Sequence, residues 1–346
     1  MTLLLRVKKQ DASKTKKFLI DNNLLNNDFR VKKEEEHILF PINEEFELNE
    51  LSFEASFTEG EAEKSKLLEI PKLEDELKKI LSVKEMEVVS KSQDVIGDIA
   101  IIEIPDALIS KEKEIAKIFL KCNPSIVTVL KKGKHEGVFR LQKLDYLVGE
   151  DKKETIHVEN KARLFLNVED VYFSPRMANE RLRISKLVKK GEEVLVMFSG
   201  AGPYPLVIAK NSEAKKIDGV EINPKGKEFG DVSIKKNKIN NVFLYTGDVY
   251  EVIPKLVSEG KKYDRVVMPA PHNANSFLKT ALGALKKKGF IHFYDFVHED
   301  EFEKRVDELI LEAKSNGRKA KLLGIYKVGQ NKPRMYRTCI DLEILE

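Results

Sequence analysis

A continuous apolar run, Val194-Leu195-Val196-Met197-Phe198, stops at Ser199-Gly200-Ala201-Gly202-Pro203, and a helix-forming stretch opens near Tyr204. The run has the pattern of a buried strand. Glycines after it let the backbone come close to a ligand, and the helix N-terminus adds outward-facing N–H groups. About twenty residues on, the strand Ile217-Asp218-Gly219-Val220 ends in Glu221, where a carboxylate can accept both hydroxyls of a ribose. A further strand, Phe243-Leu244-Tyr245-Thr246, ends in Gly247-Asp248-Val249, and an acid at that turn can accept from an adenine amino group. The turn lacks the third glycine of a dinucleotide fingerprint and the lysine of a phosphate loop. Turn, ribose acid and adenine acid in this order fit S-adenosylmethionine better than a dinucleotide.

From residue 171 onward, helix-period and strand-period segments alternate. Strands are predicted at 194–198, 216–221, 242–246, 264–268, 289–294 and 321–327, with helices between them. That alternation points to an open, doubly wound, mostly parallel α/β sheet of the Rossmann-like kind. Upstream, a strand at 2–7, a helix at 11–22 and strands at 28–33 and 37–41 make a small unit. The helix has Asp11 or Ser13 as a cap and Phe18, Leu19 and Leu24 on its apolar side. The polar stretch 57–66 reads as a linker. A charged helix at 71–82 follows, then an apolar run with an internal glycine turn at 95–104, a helix at 110–121 and a strand at 125–130. After the basic turn Lys131-Lys132-Gly133-Lys134-His135, Arg140 falls on a short apolar strand, and strands at 154–158 and 162–168 close the region. The reading is therefore two small α+β domains, 1–57 and 62–168, ahead of a larger domain over 169–346.

The length of 346 residues suits two or three domains. A net charge of +4 from 61 basic and 57 acidic residues decides nothing about nucleic acid, so local clustering must. Two distant cysteines, Cys122 and Cys339, argue against a disulfide framework, and no cysteine–histidine cluster has zinc spacing. The N-terminal apolar run is too short for a signal peptide, and no stretch approaches a membrane span. A soluble, cytoplasmic, monomeric protein is the expectation.

The segment Val171-Tyr172-Phe173-Ser174-Pro175-Arg176 to Arg181 starts a helix just before the glycine turn. Ser174 suits the N-cap and Pro175 the first helical position, and helical spacing places Arg176, Glu180 and Arg183 on one face. Glu180 reads either as a rung of an exposed ion-pair ladder or as a base beside the cofactor. Pro269-Ala270-Pro271-His272 follows a strand at its C-terminal end, a position suited to substrate contact. His272 and His292 read first as surface or packing residues. Lysine runs at 131–134, 186–190 and 286–288 read as solvated faces or phosphate contacts.

At these motifs the chain resembles the archaeal and eukaryotic tRNA (guanine-37) N1-methyltransferases over nearly its whole length. The resemblance is carried by Asp94-Val95-Ile96-Gly97-Asp98, Gly137-Val138-Phe139-Arg140, Val171 to Arg181, Met197 to Pro203 and Glu221-Ile222-Asn223-Pro224. It implies an unknotted Rossmann-like methyltransferase domain, S-adenosylmethionine as methyl donor, no metal, and tRNA gripped at its outer corner and anticodon loop. It implies Glu180 as general base and Arg140 as the group that steadies charge on the guanine O6. The implied cofactor contacts are Phe198, Gly200, Gly202, Glu221, Ile222, Asp248, Val249 and Met268. The implied substrate contacts are Tyr172, Ser174, Arg176, Pro269 and Pro271. The chemistry agrees: guanine N1 carries a proton that a base must take, and the charge that then moves to O6 wants a fixed cation. The chain departs from the family pattern at Val196, where an acid is common, at Pro269, where asparagine is common, and over 326–333. Two other readings stand beside it: transfer of the aminocarboxypropyl group of the same cofactor to a tricyclic guanine in tRNA, and a tRNA-binding paralogue with weak or no catalysis.

Overall fold

The N-terminal strand β1 (Thr2–Lys8) turns Leu4, Leu5 and Val7 inward and Arg6 and Lys8 outward, the alternation of a half-buried strand. The computed structural model describes residues 1–65, 70–90, 93–136, 141–269 and 275–345, which divide into two units: 1–86 with 121–124, and 87–120 with 125–346. The first unit adds α1 (Ala12–Asp21), β2 (Lys32–Lys33), β3 (His37–Pro41), β4 (Ala55–Gly60), α2 (Leu73–Leu77) and α3 (Val83–Val88). Its antiparallel sheet has the order β2-β3-β1-β4. Leu19 and Leu24 pack with Leu5, Val7, Ile38 and Phe40 in its core, and Phe18 lies against them. Asp11 precedes α1 without a side-chain cap bond.

Two expectations change here. The stretch read as a linker from 57 begins as strand: β4 pairs with β1 along Thr2↔Gly60 to Val7↔Ala55. As an edge strand it presents few apolar side chains, so its sequence looks like a linker. The helix expected over 71–82 ends at Leu77, and the chain turns before α3.

In the second unit, β5 (Gln93–Ile96) and β6 (Ile99–Ile102) form a hairpin about Gly97, followed by α4 (Glu112–Cys122), β7 (Thr128–Glu136) and β8 (Leu141–Gly149). Their sheet runs β5-β6-β7-β8, and the hairpin β9 (Glu154–Glu159) and β10 (Ala162–Asn167) follows. Sequence reading missed β8, another edge strand whose inward residues are only Leu144 and Leu147. It also took 131–135 for a turn, whereas β7 runs through it with a register shift. Apolar residues of β6 to β8 and β10 share one core with Ala201, Leu206 and Val207. The middle region from 87 therefore forms one unit with the region after 169.

The large sheet comprises β11 (Glu193–Met197), β12 (Lys216–Glu221), β13 (Val242–Thr246), β14 (Tyr263–Met268), β15 (Leu285–His298), β16 (Ala320–Lys332) and β17 (Met335–Ile344), in the order β13-β12-β11-β14-β15-β17-β16. The first five in that order are parallel, and β17 is antiparallel to both of its neighbours. On one face α8 (Val249–Ser258), α9 (Asn275–Ala284) and α10 (Phe302–Ser315) cover Leu195, Met197, Val266, Met268 and Phe293. On the other, α5 (Ala178–Leu187) and α6 (Pro203–Asn211) cover Val194, Val196, Val267 and Tyr294. α7 (Pro224–Lys236) follows β12 and packs on β10. Chain order reverses between β11 and β14, which makes the C-terminal ends of those strands the natural ligand crevice. β17 escaped sequence reading because Thr338 and Asp341, both buried, interrupt its apolar pattern.

Arg181 of α5 and Glu159 of β9 join two of these layers by a buried fork, at 2.5 and 2.6 Å. Burial alone would push the Glu159 carboxyl up, but hydrogen bonds from His157 and Arg181 outweigh it and hold the group below its ordinary 4.5. Glu159→Gln strands a buried guanidinium and is expected to cost about 3 kcal/mol of stability near neutral pH. The lowered carboxyl contributes stability above its ordinary value and loses it as pH falls through the folded value. Denaturant melts should therefore show the gap between variant and wild type closing below pH 4.5.

Gly97 has φ +60°, and a Cβ there would lie 2.0 Å from Thr155 Oγ1 and 2.7 Å from the Ile156 carbonyl oxygen. Gly191 has φ +81° with open space around it. Gly97→Ala is expected to destabilise by about 3 kcal/mol and Gly191→Ala by about 1, the backbone cost alone. Thermal melts followed by circular dichroism would rank them.

Candidate active site

The glycine turn stands at the C-terminal end of β11. Phe198 at φ +55° and Gly200 at φ +55° bend the chain sharply, and Gly202 at φ +78° starts α6 with Pro203 in its first turn. Glu221, at the end of β12, accepts from the Gly200 N–H at 2.7 Å and the Asn223 N–H at 2.8 Å. Burial pushes its carboxyl up against those backbone bonds. α7 presses close behind it: a Cβ on Gly226 would meet Glu221 Cγ at 2.8 Å and the Gly200 carbonyl oxygen at 2.9 Å. Ser199 Oγ is buried with no hydrogen-bond partner among the described residues. Ile222, beside Glu221, is 44% exposed. Asp248 caps α8 through the Tyr250 N–H at 2.8 Å.

Two expected cofactor contacts have side chains in the core. Met268 is fully buried and Val249 nearly so, both in the core of the opposite face. Val196, where the family pattern has an acid, is also fully buried, in the core beneath α6. An aromatic group unread in the sequence stands at the same rim: Phe277 lies 4.9 Å from Phe198 and stacks at 4.7 Å on Tyr250.

Glu180 is not a rung of an exposed ladder, being 6% exposed. Arg183, one turn on, donates Nε to Oε2 at 2.7 Å and Nη2 to Oε1 at 2.8 Å, and the Tyr294 hydroxyl donates to Oε1 at 2.6 Å. Tyr294 lies on β15 one residue beyond the partner of Met268, so Glu180 is anchored at the C-terminal rim of the sheet. Tyr204, in the first turn of α6, donates to the Tyr294 hydroxyl at 3.1 Å. Two hydrogen bonds thus connect Glu180 to the helix that the glycine turn opens.

Behind this pair the polar chain continues into the sheet. Asp341 of β17 accepts from Arg183 at 2.7 and 3.3 Å and from His292 Nδ1 at 2.6 Å. Arg265 Nη1 lies 2.6 Å from His292 Nε2 and the same guanidinium grips Glu192 at 2.8 and 3.1 Å. Burial pushes His292 down and outweighs its bond to Asp341. Burial would raise the Asp341 carboxyl, but His292 and Arg183 outweigh it and hold the group well below the usual range. His292, Cys339 and Asp341 converge within 4.8 Å, yet the Asp341 oxygens are taken by donors and a guanidinium adjoins, which disfavours a cation there.

The substrate-side residues are only partly gathered. Ser174 does not cap with its side chain; a 3-10 turn, Pro175–Met177, precedes α5, so α-helical spacing does not carry from Arg176 to Glu180. Arg176 is instead paired with Asp94 at 2.8 Å. Tyr172, Ser174 and Arg176 line one cleft of about 240 Å³ together with Lys132, Gln142, Phe296, Asn331 and Arg337. Arg181 holds the loop's shape by donating to the Ser174 carbonyl oxygen at 3.0 Å beneath Phe173. Arg337, whose buried Nε has no hydrogen-bond partner among the described residues, was missed in the sequence because β17 was. Pro269 is half-buried at the end of β14. Arg140, Pro271 and His272 lie outside the described residues.

The profile of the TRM5/TYW2 methyltransferase domain matches residues 155–322, that of the tRNA methyltransferase 5 N-terminal domain residues 5–49, and that of the TYW2 N-terminal domain residues 73–152. The tRNA (guanine(37)-N(1))-methyltransferase Trm5b of Pyrococcus abyssi is 34% identical over 99% of both chains. Its crystal structure superposes with a TM-score of 0.68 over 99% of each chain, at 33% identity. A structure of aTrm5 in complex with tRNALeu gives 0.70 over 99% of each, at 30% identity. The aminocarboxypropyltransferase for 4-demethylwyosine of tRNA(Phe) from Methanocaldococcus jannaschii is 31% identical but covers 59% of this chain and 80% of its own length. Near-full-length identity of this order, with the same fold, places the chain in the TRM5/TYW2 methyltransferase family.

Proposed function

We propose that this chain methylates N1 of the guanine at position 37 of tRNA, with S-adenosylmethionine as donor. The observation that carries the reading is Glu180: a buried carboxylate at the C-terminal rim of the sheet, linked through Tyr294 and Tyr204 to the helix of the glycine turn. Similarity to P. abyssi Trm5b along 99% of the chain supports the substrate.

The residues at the cradle fit the cofactor. Glu221 would take the ribose hydroxyls, Ile222 one face of the adenine and Asp248 its amino group, with Ser199 Oγ and the Phe198–Gly202 backbone around the methionine part. The cofactor supplies an already activated methyl on a sulfonium, so the protein's task is position and charge. Tyr172, Ser174 and Arg176 line the cleft that would receive the unstacked base, which must leave the anticodon-loop stack. Glu180 accepts three donors, and a carboxylate offers about four acceptor sites. The remaining site on Oε2 would take the N1 proton as the methyl transfers. Negative charge then moves toward O6, where Arg140 would meet it.

Transfer of the aminocarboxypropyl group is the competing reading. Residues 5–49 favour methylation, since they match the N-terminal domain of tRNA methyltransferase 5, and the M. jannaschii aminocarboxypropyltransferase covers only 59% of the chain. Incubation with unmodified tRNA and labelled cofactor, followed by mass spectrometry of the nucleosides, is expected to give N1-methylguanine at position 37. A heavier side chain there, or no label, defeats the proposal. Glu180→Gln is expected to slow single-turnover methyl transfer by about 100-fold while tRNA affinity changes less than about 2-fold. Equal losses in both would remove Glu180 from the role of base. Affinity for tRNA should fall steeply with added salt, as phosphate contacts require.

A further inference from the structure

Arg183 does not belong to Glu180 alone. Its guanidinium gives Nε and Nη2 to Glu180 and Nη1 and Nη2 to Asp341, so Nη2 is shared between two carboxylates. The Tyr326 ring covers the guanidinium at 3.8 Å. One positive charge therefore serves two negative ones. Asp341 is held in place from behind. Arginine can only donate, so His292 Nε2 must accept from Arg265, and the imidazole proton sits on Nδ1, aimed at Asp341. Cys339 adds a donor at 3.2 Å. The buried string Glu180, Arg183, Asp341, His292, Arg265 and Glu192 holds three carboxylates and two guanidiniums around a neutral imidazole. It is one negative charge in excess, and a proton delivered to Glu180 removes that excess. The groups facing Glu180 are Arg183 from α5, Tyr294 from β15, Tyr204 from α6 beyond it and Cys339 from β17, while Asp341 acts on it through Arg183.

We propose that Asp341 is a positioning residue for the reaction. By holding the far edge of Arg183 it keeps that cation divided, so that Glu180 is oriented by the guanidinium without being fully neutralised by it. The inference rests on Glu180 acting as the base.

The test is the pH dependence of single-turnover methyl transfer at saturating tRNA and S-adenosylmethionine. In Asp341→Asn the second negative charge on Arg183 is gone, so the guanidinium's charge is left to Glu180 even where the amide oxygen still accepts from it. The ascending limb should move about 1 pH unit lower and the plateau fall about 10-fold, with tRNA and cofactor affinities unchanged. A limb that stays in place overturns the proposal, whatever happens to the melting temperature. In the Glu180→Gln background, Asp341→Asn should alter the residual rate by less than about 2-fold. A full further loss there overturns the proposal as well. Should Asp341→Asn fail to fold, His292→Leu serves instead. It strips Asp341 of its other strong donor, draws Arg183 toward Asp341 and should move the limb upward; an unmoved limb counts against the proposal. Wild-type methylation by Glu180→Gln would remove the base reading and this inference together. A slow Glu180→Gln with an unmoved limb in Asp341→Asn would remove only the inference.

Discussion

The bond between Arg183 and Glu180 is the interaction on which the rest of the site depends. A carboxylate buried in a layer of valines and tyrosines is costly unless donors meet it. Arg183 and Tyr294 do so, and each comes from a different element. Their geometry in turn requires β17, since Asp341 fixes the other edge of Arg183 and β17 pairs along β15, which carries Tyr294 and His292. An antiparallel strand placed between β15 and β16 thus does more than extend the sheet. It delivers the groups that hold the helix α5 and its acid at the C-terminal rim.

The cofactor side is built on a different principle. There the backbone does the work: positive φ at three successive bends, a carboxylate held by amide donors, and a glycine in α7 that lets the helix close on Glu221. Burial raises Glu221, so the free protein gains nothing from keeping it charged near neutral pH. A residue kept at that disadvantage fits a role in holding a donor-bearing ligand such as a ribose diol. The two halves of the site meet at α6, which starts at the glycine turn and carries Tyr204 toward Tyr294.

The parallel strands β11, β14 and β15 were legible in the sequence because each carries a largely apolar run, and the edge strand β13 because its residues, Val242 to Thr246, are apolar or aromatic up to the last. β4 and β8 were not, since edge strands need only one inward row and read as polar. β17 was hidden for a different reason: its core positions are used for Thr338 and Asp341, so the hydrophobic pattern breaks where the polar network passes. His292 alone looks like a packing histidine and gains meaning only beside Asp341 and Arg265. Glu180 and Glu221 could be picked out because each stands at a recognisable boundary, a helix start or a strand end. Arg176 was misplaced because it lies in a 3-10 turn ahead of α5, where α-helical spacing does not hold, and it pairs with Asp94 instead.

The most direct test is a structure of the protein with S-adenosylmethionine or its demethylated product and a tRNA bearing an unmodified guanine at position 37. The account predicts the guanine N1 within hydrogen-bonding distance of Glu180 Oε2, while Arg183 still bridges Glu180 and Asp341. A guanine seated with N1 against another group, and Glu180 still closed off behind Arg183 and Tyr294, would contradict it.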